Sequence, residues 1–466
     1  MANSLGILCF ALAGATALLI LFEEISGRVR LFSLRNMFLF GFIIFQLLSG
    51  GFALSVAQMD RFVLSDTSQL GITYVVAVSA FLGVFLLCYR WKSPVVRLTS
   101  LIPAARENPG FGKAYATAIV CTVLAIGLNV VPIPYVGILT GYMAVGLAAV
   151  AAGIAGWLWA PRLFNPVVAL MVIPIVGLNW VLMSEGYGRR DELTVLAATG
   201  WGMFYSHFRY VSMKRYLLPV VAFAVAAGAL MGMVTSVRGE TRDKPAVAKA
   251  VIVLTQGDPF GIVNDVISGQ GAAQISMWII QGYPETFEYR PFRTLKYFVE
   301  FPIPREIYPD KPLSLGQDVV TQASVRNVKR VGADGKSGLN VGPGIVGQSW
   351  ADGGFLFVVF YAVLFGLLIR AFDELVHREQ DKLLATLPAA AALGQVIGIP
   401  RGGVATMTFV FIFTTITTYL VVLAIGWILR FPHSSGPDPV SEERHDGESD
   451  AELWEPEDRN WAALTE

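Results

Sequence analysis

Residues 135–160 read YVGILTGYMAVGLAAVAAGIAGWLWA, without a single Asp, Glu, Lys or Arg. A helix needs about 20 mostly apolar residues to cross a hydrocarbon layer of about 30 Å, where no water satisfies backbone N–H and C=O groups. This run is long enough, and its repeated Ala and Gly over 144–155 let a neighbouring helix approach closely. The rest of the chain is of the same kind. Of 466 residues, 54% are hydrophobic and 15% charged, with a mean hydropathy of +0.57. A soluble domain is about 45–50% apolar and about 25% charged, so this composition specifies a membrane protein and excludes a water-soluble enzyme built on one core. Thirty-five Lys+Arg balance 35 Asp+Glu, without the basic clusters of a nucleic-acid binder.

Working outward from 135–160, eleven apolar runs emerge, at roughly 5–22, 36–57, 70–89, 114–131, 135–160, 164–183, 193–208, 217–236, 353–371, 383–399 and 404–430. The first is followed by charges rather than by a small-residue cleavage site, so it reads as a span and not as a cleaved signal. The expected fold class is an all-α polytopic membrane protein of about eleven transmembrane helices, with a large, partly helical external loop between spans eight and nine. Loops after the odd-numbered spans hold fifteen Lys and Arg, against four in the short loops after the even-numbered spans. Cytoplasmic loops keep the positive excess, which predicts an N-terminus outside and a C-terminus in the cytoplasm of a bacterial inner membrane. The chain then divides into spans one to eight (1–236), an outer loop (237–352), spans nine to eleven (353–430) and an acidic, solvated tail (431–466).

A loop of about 115 residues is functional or disordered as a rule, and this one carries apolar runs at 246–254, 262–267 and 275–280. Leu295, Phe298 and Val299 share a helical face that Pro302 and Pro304 terminate. These pieces are too short to span and read as interfacial helices that cap the bundle, with only the stretch 326–338 reading as mobile. Asn129 and Asn179 read as bonds between helices. Cys9, Cys88 and Cys121 lie in apolar runs, and His207, His377, His433 and His445 are scattered, so neither a disulfide framework nor a metal site is expected, and no cofactor. The stretch 332–337 (GADGKS) lacks the strand and glycine spacing of a phosphate loop. No internal repeat is visible, which speaks against a transporter of inverted halves.

Charge gathers near membrane ends on the outer face in three places: 185–192 (EGYGRRDE), 301–312 (FPIPREIYPDKP) and 400–403 (PRGG). Arg presents a rigid fork of donors that fits phosphate oxygens and stays charged in low dielectric. Arginines from the three places can therefore converge on an anionic headgroup held in the membrane. Arg401 stands out, because its tight turn has no acidic neighbour.

The block 301–312, followed by 342–354 (GPGIVGQSWADGG) opening a span, and the turn at 188–190 leading into an apolar helix, resemble the Wzy-type O-antigen and exopolysaccharide repeat-unit polymerases. The resemblance covers the topology and residues 180–430. Such polymerases carry an Arg, ten intervening residues and a Gly on external loops; Arg189 with Gly200 and Arg305 with Gly316 match that spacing. One departure is Gln348, where many relatives have an acidic residue. The resemblance implies an enzyme that joins oligosaccharide repeat units carried on undecaprenyl diphosphate at the outer leaflet, in membrane lipid, with a flippase and a chain-length regulator as partners. A sugar hydroxyl would attack the anomeric carbon of a second glycan, and the lipid diphosphate would leave. Arg189, Arg305 and Arg401 are then the residues that stabilise the leaving diphosphate, and Asp191, Glu306 and Asp310 the carboxylates from which a general base is drawn. Arg190, Lys311, Tyr187, Tyr308, Gln348 and Trp350 complete the expected substrate-binding set, where the aromatic residues stack on sugars or belong to the interfacial belt. A ligase that moves the finished glycan to another acceptor would share the topology and the arginine chemistry. A non-enzymatic flippase or transporter is the alternative of a different class, and it predicts cations deep within spans and symmetric halves, whereas here the charges sit at the span ends.

Overall fold

The computed structural model of the chain describes residues 2–55, 62–91, 107–131, 133–183, 189–212, 246–260, 271–325 and 341–431, with scattered positions in 95–99 and 218–237. In chain order the described helices are α1 (Ala2–Ile25), α2 (Leu34–Ser55), α3 (Thr67–Arg90), α4 (Phe111–Val130), α5 (Gly137–Arg162), α6 (Pro166–Met183), α7 (Arg189–Ser206), α8 (Ala246–Gln256), α9 (Ala272–Gly282), α10 (Arg293–Glu300), α11 (Leu315–Val325), α12 (Ile345–Arg378), α13 (Leu383–Arg401) and α14 (Val404–Ile428). Among the described residues there is no strand, and nine helices, α1–α6 and α12–α14, are long and apolar enough to cross a membrane. The molecule is an all-α polytopic membrane protein. Two of the eleven expected runs stand apart from the nine. The run 193–208 is helical as α7, but Arg189, Arg190, Asp191 and Glu192 fill its first turn. The run 217–236 lies largely outside the described residues, as do 184–188, 326–340 and the tail from 432.

The helices run between two ends of different chemistry. At one end, Asp373 accepts from Leu34 N (2.7 Å) and Arg35 N (3.0 Å), capping α2, and from Tyr89 Oη (2.9 Å). Arg35 pairs with Glu23 beside them, and Arg209 with Asp381. At the other end, Gln274 of α9 donates to Phe62 O (2.9 Å), ahead of α3, and Gly344 N donates to Arg401 O (2.8 Å). Between the ends lies an aromatic stack: Phe38 is 4.7 Å from Phe85 and 6.0 Å from Phe365, and Phe42 is 5.5 Å from Phe81, centroid to centroid.

Small residues set the packing of α5 on α7, as the 144–155 run suggested. A Cβ added to Gly202 would lie 2.0 Å from Gly153 O, and one on Gly156 would lie 2.2 Å from Thr199 O. Backbone rather than a flexible side chain is in the way. Gly202→Val should therefore cost about 3 kcal/mol, the upper end for overpacking, and lower the unfolding midpoint of the detergent-solubilised protein. Gly127→Val, where nothing lies within 4 Å, should leave the midpoint unchanged. Asn179 Nδ2 donates to Thr122 Oγ1 (2.9 Å) across α4 and α6, whereas Asn129 is exposed.

The loop between α7 and α12 departs from a surface cap in one respect. Every residue from Ala272 to Ile280 in α9 is buried. A short helix that is apolar on all sides belongs inside, and α9 packs against α3 and the first turns of α12.

Candidate functional site

Two chain breaks meet at the α9 end of the bundle. Pro400 closes α13, and Gly402 (φ +119°) and Gly403 (φ +71°) turn the chain into α14 in a backbone region that L side chains rarely adopt. Gly402 has a second reason to lack a side chain, since a Cβ there would sit 2.5 Å from Pro343 Cδ. Gln46 Nε2 donates to Pro400 O (2.7 Å) from a π-helical stretch of α2, Ile43–Leu48, and Tyr74 Oη donates to Gln46 O (2.9 Å). The same stretch puts the Phe45 ring 5.9 Å from the Arg401 guanidinium carbon. Gln348, expected to touch substrate, is 5% exposed. Its Oε1 accepts from Val404 N (2.9 Å), capping α14, and its Nε2 donates to Thr294 Oγ1 (3.3 Å). Both ends of the amide therefore hold helices in register.

The second break lies inside α12. Gly353 and Gly354 interrupt the helix, and Gly354 (φ +67°, ψ −151°) occupies a region open essentially to glycine alone. Asp352, just before the kink, is fully buried. Its carboxylate accepts from Thr294 N (3.1 Å), Thr294 Oγ1 (3.0 Å) and Tyr361 Oη (2.6 Å), pinning the start of α10 to α12. A cleft opens beside this clamp, lined among others by Arg293, Tyr297, Ser314, Gly316, Gln348 and Thr406. Arg293 pairs there with Asp318 (2.8 Å). Ala405 and Thr406 also line it; they lie in the first turn of α14, where N–H groups have no intrahelical acceptor and the helix dipole favours anions.

The loop after α10 brings further cations. Lys311 Nζ donates to Phe301 O (2.6 Å) and Ile303 O (2.9 Å) and lies 5.3 Å and 5.9 Å from the centroids of Phe301 and Tyr297. Arg305 donates to Lys311 O (2.9 Å). Burial, followed by the positive charge of Arg305, moves the Lys311 ammonium below the usual lysine range. Burial pushes the Tyr297 phenol up. From α7, the Arg190 guanidinium lies against Met407 Sδ of α14, and Asp191 accepts from Gln395 Nε2 of α13 (3.3 Å). Tyr142 of α5 is in electrostatic reach of Arg190, Asp191 and Tyr297, and Tyr297 is in reach of Arg293 and Arg305. Arg190 and Asp191 thus stand near one phenol, and Arg293, Arg305, Lys311 and Glu300 near the other, at one end of the bundle.

Of the residues singled out from sequence, Arg190, Asp191, Arg305 and Lys311 belong to this group, while Arg401 faces Phe45 on its α2 side. Arg189 opens α7, and Tyr187 lies outside the described residues. Glu306 and Asp310 are exposed on the 301–312 turn and Tyr308 is half-buried in it. Trp350 Nε1 donates to Tyr283 O (3.5 Å). The two Arg–Gly spacings differ in outcome: Gly316 lines the cleft, whereas Gly200 lies deep in α7, three turns from Arg189. Sequence reading missed Arg293, Tyr142, Tyr297, Asp352 and Gln46. The pair Arg290 and Arg293 beside an amphipathic helix was a usable signal for Arg293, whereas Tyr142 is one aromatic residue in an apolar run. Comparison with protein-family models, with curated proteins and with solved structures returned no match.

Proposed function

We propose that this chain is a membrane glycosyltransferase, an oligosaccharide repeat-unit polymerase that joins undecaprenyl-diphosphate-linked units at the outer face of a bacterial inner membrane. The observation that carries the reading is the gathering of Arg190, Arg293, Arg305 and Lys311 around Tyr142 and Tyr297, beside the N-terminus of α14. Fixed donors aimed at a developing negative charge are the largest help an enzyme can give to a departing diphosphate. The acceptor hydroxyl forms the new bond to the anomeric carbon, the bond from that carbon to the diphosphate oxygen breaks with its electron pair, and the hydroxyl proton passes to a base. Asp191 is the carboxylate assigned to that base, because it stands beside Arg190 and in reach of Tyr142. Glu306 and Asp310, on an exposed turn, are assigned to solvent.

Eleven crossings and an outer loop between the eighth and ninth are part of the proposal. It is supported by Tyr205, near the end of α7, donating to Phe32 O (2.8 Å) at the Asp373 end. Gln274 of α9 bonds at the opposite end, so a crossing is needed between the two, in the interval that contains 217–236. The fifteen-to-four excess of basic residues turns the Asp373 end toward the cytoplasm.

The test is reconstitution: purified protein in liposomes, supplied with lipid-linked repeat units, should lengthen the glycan on the lipid. An unchanged substrate would overturn the reading, and transfer of the glycan to a different acceptor would replace it with the ligase. The same assay has a pH signature. Lys311 helps only as a cation and its proton is lost below the usual lysine range, so the rate should fall as alkaline pH removes it. Lys311→Arg, which does not titrate there, should remove that alkaline limb; an identical profile in the variant would take Lys311 out of the chemistry.

A further inference from the structure

We infer that a strip of aromatic rings running from Lys311 down α14 seats the hydrocarbon tail of a polyprenyl diphosphate; this rests on the lipid-linked substrate proposed above and says where its carrier lies. The strip begins under the ammonium of Lys311, 5.3 Å from the Phe301 centroid. Phe301 is 5.5 Å from Phe409 of α14, Phe298 is 5.8 Å from the same ring, and Phe409 stacks on Phe413 at 5.6 Å with their planes 11° apart. Phe409 and Phe413 are one helical turn apart on one face, so the strip descends along α14 from the site into the membrane-spanning segment. Tyr142 of α5 flanks its top, 6.3 Å from Phe301. The five rings are half-buried.

Charge complementarity identifies the occupant. Lys311 and Arg305 spend their hydrogen bonds on the carbonyls of Phe301, Ile303, Lys311 and Pro312. Among the described residues neither forms an ion pair; Glu300, 3.8 Å from Lys296, is in electrostatic reach of Lys311, which leaves Arg305 and Lys311 together with a net positive charge at the head of the strip. Rings that only face bulk lipid need no cations at their head. An amphiphile with a dianionic or trianionic head joined directly to a methyl-branched, unsaturated tail matches both parts at once: head to the cations, isoprene units to the flat ring faces.

The experiment uses the full chain in liposomes and undecaprenyl diphosphate bearing a diazirine on its tail, with no glycan present. Labelling on irradiation should concentrate on the peptides that carry Phe298, Phe301, Phe409 and Phe413. Unlabelled undecaprenyl diphosphate should displace it, and excess phosphatidylglycerol should not. Phe409→Ala with Phe413→Ala should weaken the binding about tenfold, equivalent to about 1.4 kcal/mol. If that variant fails to fold, Phe409→Leu with Phe413→Leu, which keeps apolar bulk without the ring faces, should give a smaller loss in the same direction. Labelling spread evenly over lipid-facing positions such as Leu356 and Leu420, or displaced equally by phosphatidylglycerol, would overturn the inference. Because no polymerisation is read, the two proposals fail separately: labelled rings with no polymer would sink the polymerase reading alone, and polymer with unlabelled rings would sink the strip alone.

Discussion

Arg190→Ala is expected to slow polymer formation by about two to three orders of magnitude, the loss typical when one fixed donor is withdrawn from a developing oxyanion. The protein should still insert and fold. What Arg190 contributes to packing runs mostly through its backbone: its carbonyl accepts from Thr194 Oγ1 (2.7 Å), and Thr194 Oγ1 in turn accepts from Gly394 N (3.1 Å), tying α7 to α13. Alanine keeps both bonds. The side chain instead lies along Gly398 and Met407, with its charge toward Tyr142 and Asp191. Loss of an interaction made only as the diphosphate departs should appear in kcat, with KM little changed. Arg190→Lys restores the charge without the planar fork and should recover part of the rate. A full rate in Arg190→Ala, measured on protein whose unfolding midpoint matches the parent, would remove the residue from the reaction.

The membrane character of the fold was legible because hydrophobic length is a strong signal that neighbours cannot overrule. The run 164–183 became Pro166–Met183, and 383–399 became Leu383–Arg401. The interruptions were less legible. The run 353–371 begins at the kink of α12, so hydropathy registered only the half beyond Gly354 and took 345–352, buried against α9, for loop. α9 itself read as interfacial, because a short apolar helix looks the same in sequence whether lipid or protein covers it. The site was legible as charge types near span ends and illegible as a constellation. Its members come from residues 142, 190–191, 293–311 and 403–406, and no spacing rule links them. Local chemistry also hid a second role: Gln348, which lines the cleft, caps α14 through the backbone N–H of Val404, remote in sequence.

Asp352→Ala should be the most destabilising single change at this end of the molecule. A fully buried carboxylate persists only where its lone pairs are satisfied, and here three donors from two residues converge on it. Alanine leaves Thr294 N and Tyr361 Oη without their acceptor in a buried setting, at about 1–3 kcal/mol for each stranded group. The unfolding midpoint should therefore fall well below that of the parent. Tyr361→Phe removes one donor and strands nothing of its own, and should cost only about 1 kcal/mol. The double variant should cost less than the two single losses added together, because residues that share a bond are not independent. The rate should fall too, in a way stability alone does not explain. Thr294 opens α10, and the same carboxylate that holds it fixes the helix carrying Arg293 and Tyr297 beside the cleft. With the clamp released, activity assayed well below the lowered midpoint should still be reduced, and KM should rise along with the fall in kcat as the cations lose their common geometry. An Asp352→Ala protein that unfolds at the parent's temperature and polymerises at the parent's rate would mean that α10 is held without the carboxylate, by Gln348, the Arg293–Asp318 pair and its aromatic contact with Phe409.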